Sequence, residues 1–198
     1  MWLTFLSNSI IFITAVILSR SLHRESGRTY FYWFVLLTGV GSFVAAFGHL
    51  TIIPLKLQSG LLFFSRIINI ITVFCFASGI ISKFYERKYS WFAISNILLA
   101  AVFFVWLCLN NVFLPILFYG VFGIGIISLG LLLKNYSHNK SAYMLVILGI
   151  AVLVLSSLTL SLSTDPIIRM DLSHLLVAIS LVIMTKGFKQ MKYAEIEA

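Results

Sequence analysis

Charge is what this sequence has least of. Of its 198 residues, 14 are Lys or Arg and 6 are Asp or Glu, 10% in all, against about a quarter in an ordinary soluble domain. That shortage excludes a soluble globular domain as the main body of the chain. Cysteine is also scarce. Cys75 and Cys108 both lie within apolar runs, which excludes a disulfide framework or a cysteine metal site and marks them as small hydrophobes. Proline occurs three times, and no Pro-, Gly- or Ser-rich linker, low-complexity tract or internal repeat divides the chain. No basic stretch opens the sequence and no small-residue cleavage motif precedes Arg20. The first apolar run is therefore expected to remain as a span rather than be removed as a signal peptide.

What is present is apolar side chain, at 61% of residues and a mean hydropathy of +1.06. Seven runs approach the roughly 20 residues that a helix needs to cross a hydrocarbon core, at about 2–19, 30–53, 61–82, 91–110, 112–133, 142–163 and 170–187. In lipid every backbone polar group must be satisfied within its own segment, so these runs are predicted helices. The predicted fold is all-α: one seven-span membrane domain over 1–198 that ends in a short cytoplasmic tail, 188–198.

The net charge of +8 does not point to nucleic acid, because the basic residues sit in short loops rather than on one soluble face. Arg20, Arg24 and Arg28 follow the first run, Lys83, Arg87 and Lys88 the third, Lys134 and Lys140 the fifth, and Lys186, Lys189 and Lys192 the last. The alternate connections carry only Lys56 and Arg169. Positive loops favour the cytoplasm, which predicts an outside N-terminus and a cytoplasmic C-terminus. Short loops and tails suggest a bacterial inner (plasma) membrane. The tyrosines and tryptophans at 30, 32 and 33 and at 85, 89 and 91 read as interfacial anchors.

Polar residues inside the runs gather at one predicted depth, towards the outer face. They are Asn8 in the first run, His49 ending the second, Arg66 and Asn69 in the third, Ser156, Ser157, Thr159 and Ser163 in the sixth, and Asp171, Ser173 and His174 opening the seventh. Asp171 and His174 are spaced i, i+3 and share a helix face. An ionisable residue in a span costs several kcal/mol if it faces lipid, so Arg66 is expected to pair with Asp171 or to reach the interface. Three readings stand side by side. The set is hydrogen-bonded glue between helices, or a ligand, metal or catalytic site, or residues that line the headgroup region without meeting. As a site, His49, Asp171 and His174 offer zinc three ligands, with Ser42 a deeper oxyanion donor and Arg66 orienting Asp171 or a headgroup. His49 and His174 as two haem ligands is a further chemistry. His23 and His138 read as surface residues, and Asn96 as a bond to a neighbouring helix. Ser156 and its neighbours read as bonding carbonyls of their own helix. Small residues around Gly41 and Gly48, and Gly120, Gly123, Gly125 and Gly130, predict close helix packing.

The stretch GVGSFVAAFGHLT, Gly39 to Thr51, resembles the second-span motif of the alkaline ceramidase and adiponectin-receptor superfamily of membrane hydrolases. The resemblance implies seven helices and a zinc site near one membrane face, with metal histidines from the second and seventh spans, where His49 and His174 stand. It implies hydrolysis of a lipid amide or ester. The chain departs from that pattern at Ala45, where the family has serine. It also departs at Met170 and Ala178, the positions four from His174, and at Gln58, Ser59 and Gly60, where a carboxylate is expected. The implied partners are membrane lipids. The competing reading is a non-catalytic lipid-binding or accessory subunit that packs against a membrane protein.

Overall fold

The computed structural model describes residues 2–23, 29–84, 91–136, 139–162 and 166–191, with side chains for all of these except 23, 160–162 and 166–170. The expectations placed on Arg24, Arg28, Tyr85, Arg87, Lys88, Tyr89, His138, Ser163 and Lys192 lie outside the described residues, as do those on the side chains of His23 and Arg169. Seven helices follow one another: α1 (Trp2–His23), α2 (Thr29–Gly48), α3 (Leu55–Phe84), α4 (Trp91–Asn110), α5 (Leu114–Lys134), α6 (Lys140–Leu162) and α7 (Pro166–Gln190). Each holds a stretch long and apolar enough to cross a membrane. No strand occurs among the described residues.

Local chemistry sets where several helices stop. Between α2 and α3 the chain turns at 49–54, and the Pro54 carbonyl accepts from the Leu57 and Gln58 amides to open α3. Between α4 and α5 the break is tighter. Asn111 adopts a positive φ of 45°, a conformation that asparagine tolerates better than most residues, and its amide still reaches the Leu107 carbonyl at 2.8 Å. Pro115 then opens α5, where its missing N–H costs no helix bond. The middle of α5, Val121–Leu129, is π-helical, and the Ser128 hydroxyl donates to the Gly123 carbonyl five residues back at 2.6 Å.

Neighbouring helices approach where side chains are smallest. A Cβ on Gly39 would stand 2.5 Å from the Ala15 Cβ of α1, and one on Gly187 of α7 would stand 2.9 Å from the Ala142 carbonyl of α6. Ser180 donates across the same α6–α7 seam to the Gly149 carbonyl at 2.8 Å. Gly41 and Gly48 lie against α3, where Ser65 donates to the Gly41 carbonyl at 2.8 Å, so the small face of α2 packs as its sequence predicts. In α5 only Gly123 behaves that way, against Val73. Gly120, Gly125 and Gly130 meet nothing within 4 Å. The centre of the bundle is aromatic. Phe188 of α7 stacks on Phe31 at 4.0 Å between centroids, and Phe76 of α3 meets Phe34 at 4.8 Å. Such pairs add about 0.5–1.5 kcal/mol each beyond the area they bury.

The start of α1, the end of α2 and the start of α3 come together at one end of the bundle. Phe5 meets Phe47, Phe12 meets Phe43, and Gly48 lies on Leu62. The start of α7 lies at this end as well, beside Ser7.

Candidate functional site

At that end α1 meets α7. The buried stripe of α1 is Thr4, Asn8, Ile11, Ala15, Ser19 and Leu22, at helical spacing, so two polar side chains are carried inward at its first turns. Ser7 sits beside the stripe and is half-buried. Opposite, Asp171 and His174 occupy one face of the second turn of α7, also half-buried. The Ser7 hydroxyl lies 3.1 Å from Asp171 Oδ1 and 2.8 Å from His174 Nδ1, and 3.1 Å from the Thr4 carbonyl of its own helix. Asn8 Nδ2 donates to the Thr4 carbonyl at 2.8 Å and approaches His174 Nδ1 at 3.5 Å. With the imidazole proton on Nε2, Nδ1 accepts from both the amide and the hydroxyl.

His49 is the first residue beyond α2 and is half-buried, its amide bonded to the Ala45 carbonyl at 3.1 Å. Burial, and after it the positive charge of Arg66, hold its ring below the ordinary value of 6.5, so it is neutral at pH 7.

The expected pairing of Arg66 with Asp171 is not the one the structure makes. Arg66 turns to the α4–α5 connection and donates to the Asn111 carbonyl at 2.6 Å and to its side-chain oxygen at 2.7 Å. The left-handed backbone at Asn111 turns both of its oxygens towards one guanidinium nitrogen, in the connection beside Arg66. Ser42 is half-buried on α2 and takes no part in the hydrogen bonds of the cluster. Asp171 and His174 thus come together with Ser7 and Asn8, His49 lies at the same end of the bundle, and Ser42 and Arg66 make no hydrogen bond to the cluster.

The donors suit one another better than they suit zinc. His174 Nδ1 and an Asp171 oxygen both converge on the serine hydroxyl, and a metal would need those lone pairs aimed at a common empty point. Among the described residues no group of three or more His, Cys, Asp and Glu side chains stands where it could hold a metal ion.

Ser7 is the residue that sequence reasoning passed over. Its neighbour Asn8 was placed at this depth, but a serine inside a span ordinarily bonds the carbonyl one turn back. Ser156, Ser157 and Thr159 do so here, as expected of them. Asn96 also behaves as expected. It donates to Ser78 at 3.0 Å and accepts from the Tyr119 hydroxyl at 2.8 Å, which ties α3, α4 and α5 together.

Residues 3–193 match the model of a family described as a family of unknown function, DUF6962. No curated protein and no solved structure matches the chain.

Proposed function

We propose, for a chain that belongs to the DUF6962 family, that it is a membrane hydrolase acting on a lipid ester or amide at the α1–α7 cluster. The observation that carries this reading is the side-chain cluster itself. A serine hydroxyl, a carboxylate and an imidazole from two helices share hydrogen bonds at one end of an otherwise apolar bundle. His174 Nδ1 lies within the roughly 2.6–3.2 Å that proton transfer requires. Asp171 is a second acceptor for the same hydroxyl, and the Asn8 amide approaches the ring at Nδ1. The resemblance around His49 supports the same reaction class. The basic loops support a site facing the outer leaflet.

The scheme uses the chain's own side chains and water. It expects purified protein in mixed lipid and detergent to release fatty acid, and His174→Ala to lower that rate by about 10²-fold or more. Full activity in His174→Ala ends the mechanism. Elemental analysis of the same samples separates it from the zinc scheme. About one zinc per chain, lost in a His49→Ala/His174→Ala double variant, would return His49, Asp171 and His174 to the role of metal ligands.

A second reading, an accessory subunit, is favoured by α4. Its membrane-length stretch is only 17% buried, and Gly120, Gly125 and Gly130 of α5 stand open. Co-purification of a stoichiometric membrane partner, with no lipid turnover, would establish it.

A further inference from the structure

We infer that Ser7 is the nucleophile of this site, and that its substrate is an acyl ester of a membrane lipid reached sideways between α1 and α7. The inference rests on the hydrolase reading and adds a covalent intermediate to it.

Ser7 stands out among the serines. Ser9, Ser19, Ser21 and Ser82 donate to carbonyls three or four residues back in their own helices. Ser65 and Ser180 donate to carbonyls of a neighbouring helix. Those are the bonds of structural hydroxyls. Ser7 reaches the Thr4 carbonyl in the same way, but it also faces two titratable side chains, with an imidazole nitrogen at 2.8 Å and a carboxylate oxygen at 3.1 Å. A nucleophile beside its base is the arrangement that covalent catalysis needs. The usual order is changed. Asp171 touches the nucleophile instead of the far nitrogen of the imidazole, and Asn8 approaches the same nitrogen, Nδ1, that faces the hydroxyl.

Access is lateral. Ser7 lies on the border between the buried stripe of α1 and its exposed one, where Leu3, Leu6 and Ile10 face outward. On α7 the residues beside the cluster, Leu172 and Leu175, are exposed as well. An acyl chain lying along those leucines brings its ester carbonyl to the hydroxyl without crossing the core of the bundle. The polar headgroup stays at the end of the bundle, beside the half-buried His49.

The step balances. Ser7 Oγ bonds to the carbonyl carbon and gives its proton to His174 Nδ1. The bond from that carbon to the alkoxy oxygen breaks, and the lipid alcohol leaves with the proton from His174. Water then attacks the acyl-serine and gives a proton to His174. The carbon–Ser7 bond breaks, fatty acid departs, and Ser7 regains its proton.

The test treats the full-length protein, in detergent with lipid, with an alkyl fluorophosphonate and maps the adduct by peptide mass spectrometry. The Ser7 oxygen forms a bond to phosphorus, fluoride leaves, and the proton passes to His174. The adduct is expected on the peptide holding Ser7. Labelling is expected to slow by about 10²-fold in His174→Gln and to vanish in Ser7→Ala, together with fatty acid release. The adduct map on the unaltered protein does not depend on either variant folding. An adduct on another residue, or fatty acid release at the unaltered rate in Ser7→Ala, overturns the role of Ser7 and leaves the hydrolase reading standing. Absence of both adduct and release overturns the two together.

Discussion

The Ser7 hydroxyl has one proton and three acceptors around it, the Thr4 carbonyl, Asp171 and His174, all within 3.1 Å. Each single contact is ordinary; the hydroxyl can donate to only one of them at a time, and of the three the imidazole is the group that can take the proton as a base. His49 presents the complementary case, a ring kept from protonating by its surroundings. Burial first and Arg66 second hold its folded value below the 6.5 of an unfolded chain. The unfolded state therefore binds more protons between those two values, and stability rises with pH across that window. Stability is complete above 6.5 and falls as acid is added through the folded value. Thermal unfolding followed from pH 8 to about 5 should show a decline that His49→Gln flattens. An unchanged decline in the variant would assign the acid sensitivity to other groups.

At the scale of helices, one polar network holds the most loosely packed part of the molecule. Asn96 is buried, donates to Ser78 and the Phe74 carbonyl, and accepts from Tyr119. Removing one partner strands the other, and a buried unpaired polar group costs about 1–3 kcal/mol. Asn96→Ala is expected to cost that much. Tyr119→Phe in the same background should then cost less than it does alone, because its hydroxyl keeps only the longer contact to the Asn96 backbone carbonyl at 3.4 Å. Additive losses in a double-mutant cycle would show that the two side chains do not act as a unit. Asn96 was legible from the sequence because a lone amide in an apolar run must find a partner. The outcome for α5 was not legible. Its glycines predict close packing at 120, 123, 125 and 130, yet only Gly123 meets a neighbour. The π-helical turns from Val121 to Leu129 change the angle between successive residues, so a stripe drawn at 3.6 residues per turn misplaces them.

For the whole molecule, the basic residues carry the prediction. Exposed Arg20, Lys134, Lys140, Lys186 and Lys189 all lie near helix ends on the side away from His49, while Lys56 is the exposed cation of the described residues on the His49 side. Reporter fusions at the C-terminus and after Gln58 are expected to read cytoplasmic and external respectively. The reverse pattern would place the Ser7–His174 cluster at the inner leaflet and require its lipid to come from there.

Helix number, helical class and helices long and apolar enough to cross a membrane were legible in the sequence alone. Hydropathy is a property of each residue, and in lipid a run of such residues has to satisfy its backbone within itself. The gathering of Asn8, His49, Asp171 and His174 at one end was legible for the same reason, since depth follows from position along a span. Which of them touch was not. Contact depends on how each helix is rotated about its axis, and that rotation is chosen by packing between helices far apart in the chain. Gly39 on Ala15, Gly48 on Leu62 and Phe188 on Phe31 set it here. Only the tertiary structure therefore decided that Arg66 turns to Asn111 and that Ser7 stands between Asp171 and His174.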